Sequence, residues 1–128
     1  SADQLKTSGW AYQQWVHFLR NLPRELTNYQ LSTLDTAFGF TSSGNSEILF
    51  EWLMLAVKSN YRPAFNRLED FLVTVGRRKF IAPLYAEMYK NEKLQEMARR
   101  IYRNARGNYH FVAPSTIDRV LELDGEEI

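Results

Sequence analysis

With 128 residues, 45% of them hydrophobic, the chain is long enough for one domain with a core of its own, and it needs no disulfide or metal to fold. Sixteen Lys and Arg face 15 Asp and Glu, a net charge of +1 that lacks the basic excess of a nucleic-acid binder. The absence of cysteine removes thiolate chemistry and the usual zinc-finger spacings and fits a reducing compartment, and no apolar run approaches the roughly 20 residues a membrane span needs.

The apolar spacing is helical nearly everywhere. Trp10, Trp15, Phe18, Leu19 and Leu22 predict a first helix that ends near Pro23. Thr27 followed by Gln30 has the form of a capping box, after which Leu31, Leu34 and Phe38 line one face and Gly39 provides a stop. Thr41 to Gly44 reads as a loop. Asn45 or Ser46 then caps a third helix, with Glu47 at its positive end and Ile48, Leu49, Trp52, Leu53, Leu55 and Ala56 as a wide stripe ending near Ser59-Asn60.

A fourth helix starts around Arg62-Pro63, where proline suits a first turn, and carries Phe65, Leu68, Phe71, Leu72 and Val75 up to Gly76. Phe80, Ile81, Leu84, Tyr85 and Met88 predict a fifth, whose start near Arg77 is expected to be irregular or bent because Pro83 is tolerated only in the first turn or just beyond it. A sixth runs from about Asn91 to Arg106, with Leu94, Met97, Ala98, Ile101 and Tyr102 inward and Gly107 as its stop. Ser115 with Asp118 caps a short last helix through Leu121 or Leu123, before an acidic end. No strand pattern of useful length occurs. The fold class is therefore all-α, about six to eight helices in antiparallel hairpins stacked as in a helical-repeat solenoid.

Residues able to carry chemistry are few. His17 and His110 stand without metal-ligand spacing. Glu69-Asp70, Glu122 with Asp124, and Glu126-Glu127 are too close along the chain to converge as an acid/base pair on a helix. There is no glycine-rich phosphate loop and no serine in a nucleophile elbow, so neither a catalytic residue nor a metal site is expected within this chain.

Two basic clusters remain. Arg99, Arg103 and Arg106 share a helix face, with Arg100 and Tyr102 beside it, and read as a solvated face near the negative end of the helix dipole. Gly76-Arg77-Arg78-Lys79-Phe80 sits where one helix stops and the next begins. Free backbone N–H groups and a positive dipole suit a carboxylate there, although a merely solvated basic run fits the residues as well.

Asn45-Ser46-Glu47-Ile48 with Phe50 and Trp52-Leu53 resembles the opening of a helix in the C-terminal domain of leukotriene A(4) hydrolase and its bacterial aminopeptidase relatives. Gly76-Arg77-Arg78-Lys79-Phe80 followed by Pro83-Leu84 is similar to that domain's Gly-Arg-x-Lys-Phe-x-x-Pro-Leu signature, at matching distance. Tyr102, His110 and Val112 resemble the closing segment, so the resemblance covers about Asn45 to Val112 and is faint before Asn45. Arg78 departs from the uncharged residue usual at its position, and Phe111 from the usual proline.

The resemblance implies an armadillo- or HEAT-like right-handed superhelix spanning residues 1–128, a C-terminal domain of a larger enzyme that packs on a thermolysin-like zinc domain. The start at Ser1-Ala2, without an initiator Met, is then expected to be a boundary inside a longer protein, with a tag remnant at its tip. The resemblance also implies that Arg77 and Lys79 bind the C-terminal carboxylate of a short peptide substrate, and that zinc and the catalytic residues belong to the other domain. The expected partners are that catalytic domain and the peptide, with no nucleic acid and no membrane. The cytoplasm is the expected compartment. The alternative is a free-standing helical-repeat module that binds other proteins through a solenoid groove.

Overall fold

The structure, a computed structural model, describes residues 11–22, 26–74, 78–105 and 107. Six α-helices hold most of these: α1 (Tyr12–Arg20), α2 (Asn28–Phe38), α3 (Ser46–Lys58), α4 (Phe65–Thr74), α5 (Arg78–Tyr89) and α6 (Gln95–Ala105). Short 3-10 turns occur at Phe40–Ser42, Arg62–Ala64 and Glu92–Leu94, and no strand occurs among the described residues. The chain is thus all-α, as its periodicity predicts. No described helix is long and apolar enough to cross a membrane. The expected last helix at Ser115, together with Trp10 and Pro23, lies outside the described residues.

The helix ends follow local chemistry. Thr27 and Gln30 form the expected capping box: the Gln30 N–H donates to Thr27 Oγ1 at 3.1 Å and the Thr27 N–H to Gln30 Oε1 at 2.9 Å. Gly39 closes α2 in the left-handed conformation, φ 65°, and its N–H donates to the Asp35 carbonyl at 2.7 Å. Between Asn45 and Ser46 the structure selects Asn45 as the cap of α3, where Oδ1 accepts from the Glu47 and Ile48 N–H groups at 2.9 and 3.1 Å. Part of the stretch expected as loop, Thr41-Ser42, winds instead into the 3-10 turn at Phe40–Ser42, which brings Phe40 into the core.

α3 ends in a Schellman arrangement. Asn60 takes φ 54°, and the Tyr61 N–H reaches back to the Ala56 carbonyl at 2.8 Å. Asn60 Oδ1 is buried without a hydrogen-bond partner among the described residues. Asn60→Gly should therefore leave stability within about 0.5 kcal/mol of wild type or raise it, whereas Asn60→Val should lower it by about 1–2 kcal/mol, as measured by chemical denaturation.

The fold divides into two compact units at Phe65/Asn66, each with its own interior. In the first, α1 packs on α3, and α3 also packs on the Phe40–Ser42 turn. Its centre is aromatic: Trp15 lies edge-on to Phe38 and Phe40 at 5.0 and 5.5 Å, Phe40 stacks on Trp52 at 5.0 Å, and Trp52 meets Tyr61 at 5.8 Å. In the second, α5 packs on α6, with Tyr85 edge-on to Tyr102 at 5.6 Å, both fully buried.

A part-buried polar network borders the first unit's core. The Asp35 carboxylate accepts from the Thr41 N–H at 2.9 Å, the Thr41 hydroxyl at 2.7 Å and the Tyr61 hydroxyl at 3.1 Å. Thr41 Oγ1 in turn accepts from Trp52 Nε1 at 2.9 Å. One acidic side chain near the end of α2 thereby ties together the 3-10 turn, α3 and the segment that follows α3.

Candidate functional site

The junction between α4 and α5 carries the basic run singled out in the sequence. α4 presents Leu68, Phe71 and Leu72 inward, and α5 answers with Phe80, Ile81, Leu84, Tyr85 and Met88, all buried. Phe80 is 1% exposed and lies against Phe71, ring centroids 5.8 Å apart at 55°. This pairing fixes where α5 begins relative to α4.

α5 starts at Arg78, so Pro83 is its sixth residue and sits inside the helix. That is just beyond the first turn. Its missing N–H leaves the Lys79 carbonyl without the usual helical donor, and its ring presses on the same carbonyl.

Of the two sequence-predicted binding residues, Lys79 is placed and Arg77 lies outside the described residues. Lys79 is exposed at the second position of α5, and its ammonium stands 5.0 Å from the centroid of the Phe80 ring. Phe80 turns inward on α5, while Lys79, about 100° away around the helix, is exposed. The positive end of the α5 dipole adds to the charge there.

The other basic cluster is largely consumed by structure. Arg99, at the start of the predicted solvated face, is half-buried instead: its guanidinium covers the Tyr89 ring at 5.2 Å and donates to the Tyr89 hydroxyl. Arg100 reaches from α6 to Glu69 of α4, with contacts of 3.2 and 3.3 Å. The spacing of these arginines gives no sign of either role, because Tyr89 and Glu69 lie ten and 31 residues away. Arg106 and His110 lie outside the described residues, and His17 is exposed on α1.

Among the described residues no three His, Asp or Glu side chains come together as a metal site.

The chain matches the family described as leukotriene A4 hydrolase, C-terminal, over residues 10–121, and it belongs to that family. It is similar to leucine aminopeptidase 2-1 of Meyerozyma guilliermondii, 30% identical over 110 residues, covering 86% of this chain and 16% of that protein. Leucine aminopeptidase 2-2 of Scheffersomyces stipitis is 34% identical over 94 residues, 73% of this chain and 14% of that protein. Leucine aminopeptidase 2 of Neurospora crassa is 27% identical over 117 residues, 89% of this chain and 17% of that protein. The chain thus spans about one sixth of the length of the curated relatives it matches. The match begins at residue 10, well before Asn45, where the resemblance read from the sequence becomes clear.

Proposed function

We propose that the chain is the C-terminal domain of a zinc-dependent aminopeptidase, without a catalytic centre of its own, and that it packs on a catalytic domain elsewhere in the same protein. In this reading Arg77 and Lys79 hold the C-terminal carboxylate of a short peptide. The zinc, with the residues that polarise the scissile amide, belongs to the catalytic domain.

The observation that carries the proposal is the family match across residues 10–121, in a chain whose relatives are named aminopeptidases and are about five times as long. Lys79 supports the finer part: it is exposed at the opening of α5, where a helix N-terminus and a cation act on the same anion. Arg77 would supply a two-pronged grip and Lys79 a point charge. Holding the far end of the peptide would place its first residue for cleavage, an effect of orientation.

The test is steady-state kinetics of the full-length enzyme on a tripeptide. Arg77→Ala and Lys79→Ala should each lower kcat/KM about ten- to a hundredfold, the equivalent of losing one charge-assisted hydrogen bond of about 1.5–3 kcal/mol. The same peptide with an amidated C-terminus should be a poor substrate for wild type and should lose little further in the variants. Unchanged kinetics with both variants would refute the carboxylate role.

A further inference from the structure

We infer that the cleft between α1 and α3 is a binding site for a free α-amino acid with a small aliphatic side chain. None of its residues belongs to the α4–α5 junction, and the inference stands whether or not Arg77 and Lys79 bind a carboxylate.

The cleft has a volume of about 150 Å³ and is lined by residues of these two helices and by Leu22, just past the end of α1. Three charged side chains line it: Arg20, Glu51 and Lys58. Glu51, Met54, Leu55 and Lys58 follow three-to-four spacing along α3 and so share one face. Arg20 comes from the last turn of α1 and joins Glu51 through one contact, Nε to Oε2 at 2.9 Å.

That bridge leaves hydrogen-bonding capacity unused. The Glu51 side chain is 13% exposed, yet among the described residues its carboxylate has Arg20 as its one partner, through a single oxygen. A carboxylate with so little water around it has room for a second donor. Arg20 uses Nε on Glu51, and its two terminal nitrogens have no acceptor among the described residues. Lys58 is exposed and makes no ion pair among the described residues. An open acceptor and several open donors thus border one cleft.

A ligand that satisfies both kinds carries an ammonium and a carboxylate a few ångströms apart, which is the head of an α-amino acid. Its ammonium donates to Glu51, and its carboxylate accepts from Arg20 and Lys58. Leu19, Leu22, Met54 and Leu55 supply apolar wall for the side chain. The volume is about half the lower end of the range for drug-sized ligands, which limits the occupant to a single small residue.

Equilibrium dialysis of isotopically labelled L-valine against the full-length protein tests this, with melting temperature followed in parallel. Sites elsewhere in the protein are common to wild type and variants, so the difference between them reports the cleft. Glu51→Gln and Arg20→Gln should each weaken valine binding there by about tenfold or more. Isobutylamine, which lacks the carboxylate, and isovalerate, which lacks the ammonium, should each compete about tenfold more weakly than unlabelled valine. Equal binding by wild type and both variants overturns the proposal, and so does competition by either analogue on a par with valine. If Glu51→Gln or Arg20→Gln lowers the melting temperature, Lys58→Gln decides, because it leaves the bridge in place. Binding weakened severalfold in that variant supports the site, and unchanged binding overturns it.

Discussion

Trp52→Ala is expected to destabilise the first unit by about 3–5 kcal/mol and to lower the melting temperature by on the order of 10–20 °C, read by circular dichroism. The residue is fully buried and is held on two aromatic sides, by Phe40 and by Tyr61. Truncation removes the largest fully buried side chain among the described residues and leaves a cavity that the flanking rings, themselves packed, can close only in part. It also removes the indole N–H that donates to Thr41. Trp52→Phe separates the two contributions, since it keeps most of the apolar volume and drops the hydrogen bond. It should lose about 1–2 kcal/mol.

Asp35→Ala is expected to lower stability by about 2–4 kcal/mol, because three donors lose their acceptor at once. These are the Thr41 N–H, the Thr41 hydroxyl and the Tyr61 hydroxyl, and each lies in a part-buried place where water is a poor substitute. The Tyr61 hydroxyl also makes the network pH-dependent. Burial first, then the charge of Asp35 and the hydrogen bond donated to it, raise the Tyr61 pKa above its ordinary 10.0, while a hydrogen bond with Ser32 pulls the other way. A group whose pKa is raised by folding stabilises fully below its unfolded value and loses that contribution as pH climbs through the folded one. The stability gap between wild type and Tyr61→Phe should therefore be constant up to about pH 10 and narrow above it, measured by urea denaturation across the alkaline range. A gap that stays constant through the alkaline limb would mean that Tyr61 is not held by Asp35.

The part of the candidate site that was legible in the sequence is the part made of contiguous residues. Gly76 to Phe80 lie together along the chain, so the run could be picked out without tertiary information, and Arg78, Lys79 and Phe80 open α5. The contact of Phe80 with Phe71 did not show, because Phe80 reads in the sequence as one apolar position in the stripe of α5. Only the tertiary structure sets that ring against Phe71, with 5.8 Å between the centroids. The family match also covers residues 10–44, where the resemblance read from the sequence is faint.

The amino-acid order by itself determined the helices and their ends. Caps such as Thr27 with Gln30, Asn45 and Gly39 act through hydrogen bonds and backbone angles within three or four residues, and the apolar period marks which face turns inward. Tertiary structure decided which distant side chains meet. It placed Asp35 against Thr41 and Tyr61, brought Phe40 into the core through a 3-10 turn, laid Arg99 over Tyr89 and joined Arg100 to Glu69. Those pairings depend on the packing of one helix against another, a nonlocal balance of burial and hydrogen bonding that no short stretch of sequence encodes.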